Sequence, residues 1–240
     1  APSRFYGTDY LYNDLGQLSE IFTPFGKLRP YYDFPSYHFV YDSLGRVVEK
    51  KEPNKGWVYT VYNKSDQPVL SQDSNMRAKK QWAYMKYDAE GRMVQTGIYT
   101  NTTIISRKAM QYYCDYSFPV LWETWQPGVG YTNNAFPQYN ATPGASALSV
   151  YSLFYYDDYS FTEAASKPFQ TNTYSTTPTG RTMGMLTGTS VYVLGTSNQY
   201  LVTVNYYDKQ NRLIQQIGDN HLGQVDVVNN QFNFIGQLTG

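Results

Sequence analysis

The chain has 240 residues, a length typical of a single β-rich domain or of one piece of a larger one. Because 19 basic and 19 acidic residues give a formal net charge of zero, we expect no nucleic-acid partner. No apolar run approaches the roughly 18 residues that a membrane-spanning helix needs, and the N-terminus lacks a signal peptide, so we expect no membrane insertion.

Tyrosine dominates the composition. Aromatic residues make up 18% of the chain, 26 residues are tyrosine, and charged residues reach only 16%. Such side chains suit a pleated, half-buried surface, which favours strands. The single cysteine, Cys114, excludes an intramolecular disulfide, and we interpret it as a small buried thiol rather than a nucleophile or redox site.

A seven-residue unit recurs six times. It consists of an aromatic residue, Asp or Asn, two variable residues, Gly or a substitute, Arg or Gln, and an apolar residue. Self-similarity of this kind is typical of repeat architectures. The copies begin at Tyr12, Tyr41, Tyr62, Tyr87, Tyr207 and Phe232.

The residue types in this unit predict a chain reversal. The Asp or Asn side chain bonds to backbone amides two residues on, and Gly three places later supplies the positive φ that closes a hairpin with a bulge. Two copies replace Gly with Asp66 and Asn211, residue types that tolerate left-handed backbone. The Arg or Gln that follows is expected to lie over aromatic rings, with its polar head in solvent or bonded to a neighbouring turn.

Residues on either side of these turns alternate as strands do. Apolar and polar side chains alternate over residues 57–62, 81–87 and 201–207, and return strands follow at 92–96 and 212–217. Each unit is therefore predicted to be a hairpin, stacked on its neighbours in a continuous sheet.

The unit disappears in the middle of the chain. Residues 119–147 are rich in Pro, Gly, Asn and Thr and indicate an excursion with little regular structure. Strand-like runs resume at 148–161, and residues 184–194 indicate another hairpin. We therefore divide the chain into hairpins at 1–109, a loop-rich insertion with some strands at 110–183, and hairpins at 184–240.

The last copy stops at Gly240, shortly after its turn and before a return strand. Because a repeat array needs a polar cap at its end, we expect a fragment of a longer chain, or an edge that a partner covers.

The six units resemble the YD repeat of the RHS and YD-repeat family, whose consensus is Tyr-Asp, two residues, Gly-Arg and an apolar residue. The match covers roughly residues 5–100 and 200–240. The runs 130–137 and 155–158 also resemble large surface members found in some bacteria.

Family members wind a β-sheet ribbon into a spiral that closes as a hollow shell, which in many of them encloses a variable C-terminal toxin. Related repeats occur in toxin complexes and cell-surface adhesion proteins. The resemblance implies an all-β fold of stacked antiparallel β-hairpins in a curved, extended sheet, part of a spiral shell. No cleavage residues are carried over, because the C-terminal segment that cleaves itself in some members is absent.

The implied function is that of a structural, encapsulating or display segment of a large secreted or cell-surface bacterial protein, without catalysis or cofactors of its own. The implied partner is the remainder of a longer chain, including an enclosed C-terminal cargo or toxin. The secretion machinery and surface glycans are further candidate partners.

An alternative function is a carbohydrate-binding or adhesive surface module. Aromatic residues of the insertion are able to form a platform on which sugar rings stack, although buried packing explains the same residues. The candidate ligand residues are Trp122, Trp125, Tyr131 and Tyr139.

Candidate catalytic and metal residues are few. The two histidines, His38 in a strand pattern and His221 in a turn pattern, are interpreted as structural. The pair Asp157 and Asp158 lacks the spacing of a calcium loop and is interpreted as turn capping. A glycosidase on a β fold is a third hypothesis, but no pair of carboxylates stands out for it.

Overall fold

Strands dominate the computed structural model, which describes residues 7–23, 36–104, 106–138, 146–171, 177–196 and 199–240. The strands are β1 (Asp9–Tyr12), β2 (Leu18–Phe22), β3 (Ser36–Tyr41), β4 (Val47–Lys51), β5 (Trp57–Tyr62), β6 (Pro68–Gln72), β7 (Gln81–Tyr87), β8 (Met93–Asn101), β9 (Trp125–Gln126), β10 (Gly130–Tyr131), β11 (Ser146–Asp157), β12 (Thr182–Tyr192), β13 (Tyr200–Tyr207), β14 (Leu213–Asp219) and β15 (Val225–Asn229). The helices are α1 (Ser74–Ala78), α2 (Arg107–Ser117) and a short 3-10 helix (Thr162–Ser166).

The chain divides into two compact units. In the first, each strand from β2 to β7 pairs antiparallel with the strand before it. In the second, β12 to β15 pair in the same way, starting from β11. The predicted all-β class of antiparallel hairpins is confirmed. Unit 1 comprises Ala1–Tyr84, Ile98–Leu121 and Phe136–Leu148, and unit 2 comprises Met85–Gly97, Trp122–Ala135 and Ser149–Gly240.

The repeated turns are confirmed at all six copies. In the second copy, Asp42 Oδ1 accepts hydrogen bonds from the backbone N–H of Leu44 and of Arg46, each at 3.0 Å. Residue 45 then donates its N–H to the Asp42 carbonyl. The left-handed conformation expected at the fifth position occurs in every copy, with φ of 73° at Gly16, 80° at Gly45, 60° at Asp66, 80° at Gly91, 65° at Asn211 and 85° at Gly236.

A seventh turn of the same kind joins β14 to β15. Asn220 Oδ1 accepts from the backbone N–H of Leu222 and of Gln224, each at 3.0 Å, and Gly223 has φ of 76°. The aromatic residue that begins the other copies is replaced here by Asp219. The remaining positions of the unit are therefore sufficient to make the turn.

Helix α2 lies within unit 1 and was not predicted. The Ser106 side chain caps its first turn by accepting a hydrogen bond from the Ala109 N–H at 3.2 Å. Met110 and Cys114, four residues apart, are its buried residues. The Gln111 side chain bonds to both the N–H and the carbonyl of Tyr62 on β5, at 3.1 and 2.7 Å. The insertion predicted at 110–183 thus contains helix as well as loop and strand, and its boundaries stay a prediction.

Unit 2 has a core of aromatic and aliphatic side chains from strands β11, β13 and β14 and from the segment after β11. Its buried members are Tyr155, Phe161, Ala164, Val202, Val204, Tyr206, Ile214 and Ile217.

The hairpin predicted at residues 184–194 is wrong, because β12 runs unbroken through most of that segment. Gly184 has φ of 82° and lies where the pairing register of β11 with β12 shifts. Gly188 lies under the ring of Phe161, and a Cβ at this position would come within 2.9 Å of Phe161 Cε2. Glycine is needed here for close packing rather than for a turn. The reversal comes later, at Gly195, with φ of 84°.

Candidate functional site

The aromatic part of the insertion is a short hairpin, β9–β10, in unit 2. Gly128 and Gly130 have φ of 73° and 113°, and Val129 donates its N–H to the Gln126 carbonyl at 3.0 Å. This tight turn places Trp125 opposite Tyr131 on paired strands, with ring centroids 5.0 Å apart.

Both rings pack on the core of unit 2. Trp125 meets Tyr155 edge to face at 5.3 Å, and Tyr155 stacks on Phe161 at 4.2 Å. The polar ends are also engaged, since Trp125 Nε1 donates to Ser160 Oγ and the Tyr131 hydroxyl donates to a backbone carbonyl, each at 2.7 Å. Burial raises the pKa of the Tyr131 phenol, so the hydroxyl remains a donor at all ordinary pH values.

Trp125 and Tyr131 nevertheless line a cleft of about 220 Å³. Thr162 and Glu163 add polar groups to its wall, and Tyr155 adds a third ring. Aromatic faces beside a few polar groups are the surfaces on which sugar rings stack.

The four predicted ligand residues are only partly brought together. Trp125 and Tyr131 are in contact, whereas Trp122 is 46% exposed and, in the part of the chain that the structure describes, makes no ring contact. Tyr139 lies outside the described residues. The sugar platform therefore stays a prediction, reduced to Trp125, Tyr131 and their neighbours.

A second set of contacts joins consecutive repeated turns. The guanidinium of Arg46 lies 4.7 Å from the centroid of Tyr62, the aromatic residue of the next copy, and its Nη1 bonds to Asp66 at 2.7 Å. The Tyr62 hydroxyl in turn donates to the carbonyl of Val47, the residue after Arg46, at 3.0 Å. The turns that begin at Tyr41 and Tyr62 are thus joined by a cation–ring contact and by a hydrogen bond in the opposite direction.

The same arrangement recurs in unit 2. Arg92 lies 4.5 Å from the ring centroid of Tyr156, whose hydroxyl donates to the Met93 carbonyl at 3.0 Å. Its Nη1 and Nη2 bond to the two carboxylate oxygens of Asp157 at 2.9 and 2.7 Å, a bidentate pair. Arg92 lowers the pKa of Asp157, and we therefore read Asp157 as a structural partner of the repeat. Arg212 lies similarly over Phe232, at 4.8 Å.

The side chains at the second and sixth positions of each turn bond to each other and are matched in charge. This pairing was not predicted from the sequence. Asp at the second position accompanies Arg at the sixth, whereas Asn accompanies Gln. The Asp–Arg pairs, with oxygen to Nε distances of 2.6 to 2.7 Å, are Asp42–Arg46, Asp88–Arg92 and Asp208–Arg212. The Asn–Gln pairs, bonded amide to amide at 2.8 to 3.0 Å, are Asn13–Gln17, Asn63–Gln67 and Asn233–Gln237.

The predicted catalytic and metal candidates have local structural contacts. His38 Nε2 is 2.8 Å from Ser36 Oγ, and its Nδ1 is 3.3 Å from a Glu20 oxygen. His221 lies in the seventh turn. Cys114 is buried as predicted, and burial raises the pKa of its thiol to about 12. Among the described residues, no cluster of three or more His, Cys, Asp or Glu side chains is placed to hold a metal ion.

One polar cluster of unit 2 was missed. Lys86 on β7 is 1% exposed and forms an ion pair with the fully buried Glu123 at 2.7 Å. Its only sequence signal is the alternation of β7, which places Lys86 on the same face as the buried Trp82 and Tyr84.

No protein-family model matches the sequence, and no curated protein matches it. Similar solved structures include a crystal structure of TcdB2-TccC3, with a TM-score of 0.42 and 9% identity over 96% of this chain and 12% of that one. A crystal structure of TcdB2-TccC3-TEV gives 0.31 and 13%, over 96% and 14%. The Photorhabdus luminescens Tc holotoxin pore with a TccC3 mutation gives 0.31 and 11%, over 96% and 13%.

The chain thus spans only 12 to 14% of the length of these solved chains. Identities and TM-scores this low do not assign it to a family or a function.

In the described residues, no helix is both long and apolar enough to cross a membrane.

The matched pairs predict the outcome of exchanging one for the other. Arg212→Gln should cost about 1–3 kcal/mol of unfolding free energy, because the fully buried Asp208 carboxylate loses its charged partner. The double variant Asp208→Asn/Arg212→Gln reproduces the neutral pair of other copies and should recover part of that loss. Denaturant unfolding of the wild type, both single variants and the double variant measures the coupling, and simple additivity would contradict the pairing rule.

The same variants predict a pH dependence. Burial alone would raise the pKa of Asp208, but hydrogen bonds from the Arg212 side chain and from backbone amides outweigh burial and lower it. A lowered pKa stabilises the fold above the unfolded value, and this stabilisation is lost as the pH falls through the folded value. As the pH falls from about 5 through the lowered pKa of Asp208, the wild type should lose more stability than the neutral double variant. Equal losses would show that the ionised pair contributes nothing.

Proposed function

We propose that this chain is a structural, encapsulating or display segment of a large RHS/YD-repeat protein, secreted or at the cell surface of a bacterium, without catalysis of its own. Its partner in this proposal is the remainder of a longer chain, including an enclosed C-terminal cargo or toxin.

The observation that supports this proposal is the contact between consecutive turns. Arg46 and Arg92 each bond within their own turn and also to an aspartate outside it, Asp66 for Arg46 and Asp157 for Arg92. Tyr62 and Tyr156, which lie beside these two arginines, each donate a hydrogen bond back to the residue that follows the arginine. Side chains bonded in this way stabilise the packing of one hairpin on its neighbour. The polar atoms that they use are then not available for binding a substrate or for catalysis. A wall built by adding equivalent hairpins lengthens without a new core, since each hairpin packs on its neighbour.

Protease protection of the full natural protein tests the proposal. The segment that follows this chain should be cut much more slowly in the full protein than when expressed alone, because the wall shields it. Arg46→Ala/Arg92→Ala, which removes two contacts between turns, should speed that cleavage. Gly180→Ala is the matched control, because a Cβ there meets nothing within 4 Å. Equal cleavage in the full protein and in the isolated segment would refute enclosure.

A second candidate function, carbohydrate binding, is favoured by the cleft that Trp125, Tyr131, Tyr155 and Glu163 line. The chain should bind at least one glycan of a broad panel, and Trp125→Ala/Tyr131→Ala should weaken that binding at least about fivefold by removing two aromatic stacking surfaces of the cleft.

The matched control for that test is Tyr112→Ala/Tyr116→Ala, which removes two rings that are 66% and 73% exposed on α2. If no glycan of a broad panel binds, or if the control pair weakens binding equally, the cleft is not a sugar site.

A further inference from the structure

The buried cluster around Lys86 contains a side-chain amide in addition to the lysine and the carboxylate of an ordinary ion pair. Lys86 Nζ is 2.7 Å from Glu123 Oε1 and 2.8 Å from Asn133 Oδ1. A lysine, a carboxylate and a side-chain amide therefore meet at one nitrogen atom, on a strand face that otherwise buries apolar side chains.

The carboxylate of this cluster is held in a fixed position. Glu123 Oε2 accepts from Thr132 Oγ1 at 2.7 Å and from the Asn134 N–H at 3.0 Å, and Oε1 accepts from the Ala135 N–H at 3.1 Å. The Glu123 N–H donates to the Tyr87 carbonyl at 2.8 Å. These bonds fix the loop that carries Asn133 against the strand that carries Lys86.

We propose that Lys86 and Asn133 become joined by an intramolecular amide bond, formed by attack of Lys86 Nζ on the side-chain carbon of Asn133 with Glu123 as the proton carrier. Nζ donates a hydrogen bond at 2.8 Å to Asn133 Oδ1, the oxygen that is bonded to that carbon. The inference does not rest on the function proposed above.

The reaction balances without an oxidant or a co-reactant. The Lys86 ammonium gives one proton to Glu123, and the neutral amine attacks the Asn133 carbonyl carbon to form a C–N bond. The nitrogen of lysine then loses a second proton by the same route. The bond from that carbon to the Asn133 amide nitrogen breaks. The departing NH2 group takes the electron pair of that bond and the two protons that Glu123 carried from Lys86, and it leaves as ammonium. Glu123 ends as a carboxylate, as it began.

The surroundings favour two steps of this chemistry. Burial lowers the pKa of Lys86 despite the opposing effect of Glu123, and a lower pKa makes the nucleophilic neutral amine easier to form. Asn133 is solvent-exposed as a residue, which gives the departing ammonia a route out.

The product would stabilise the fold covalently. The joined residues are 47 positions apart, so the bond would close a long loop and reduce the freedom of the unfolded chain, as a disulfide does. It would do so in a chain whose single cysteine, Cys114, excludes an internal disulfide.

Intact mass spectrometry of the purified, denatured chain tests the proposal. The wild type should weigh about 17 Da less than its sequence requires, the mass of one ammonia lost on bond formation. Lys86→Arg and Glu123→Gln should each show the full sequence mass. Lys167→Arg should keep the loss, because Lys167 is buried and paired with Asp219 in the same way but is not part of the cluster.

Tandem mass spectrometry of a digest should then find the peptides containing residues 86 and 133 joined in the wild type. A wild-type mass equal to the sequence mass overturns the proposal even if no variant folds. A loss that persists in Lys86→Arg also overturns it, because Lys86 is then not the residue that displaces the ammonia.

Discussion

The hairpins of this chain depend on one local arrangement, in which a side-chain oxygen accepts hydrogen bonds from backbone N–H groups of the turn. Without that oxygen, these N–H groups would have no partner within the protein. Asp42 Oδ1 accepts two backbone N–H groups, and residue 45 takes a left-handed conformation that lets the chain return in register. Each such hydrogen bond is worth about 0.5–1.5 kcal/mol. In every copy the side-chain oxygen at the second position accepts the backbone N–H of the sixth residue. The turn therefore sets the spacing of the strands, and the strands set what the rest of the chain can pack against.

Contacts between turns follow from that spacing. Strands in a sheet lie roughly 4.8 Å apart, so successive hairpins bring the sixth position of one turn over the aromatic residue of the next. Arg46 uses this placement to contact Asp42, Asp66 and the Tyr62 ring together. Where the second position of the unit is Asn, the sixth position is glutamine instead of arginine, so that no charge is left without a partner.

Local chemistry explains which features the sequence predicted. The left-handed positions, including Asp66 and Asn211, were predicted because a turn depends on residues within five positions of one another. The sequence did not reveal α2, the ion pair of Lys86 or the role of Gly188, because each depends on partners distant along the chain. Of the predicted sugar platform, the tight β9–β10 turn explains why Trp125 and Tyr131 meet, and nothing local positions Trp122.

The unfolding free energies of two single variants test the turn arrangement most directly. Gly91→Val should cost on the order of 1–2 kcal/mol or more, because a β-branched residue is forced to the φ of 80° that Gly91 adopts. Asn211→Gly, at the equivalent position with φ of 65°, should change stability little, since glycine adopts that conformation freely. Equal losses from the two variants would contradict the equivalence of these positions, and with it the account of a repeated turn that organises the fold.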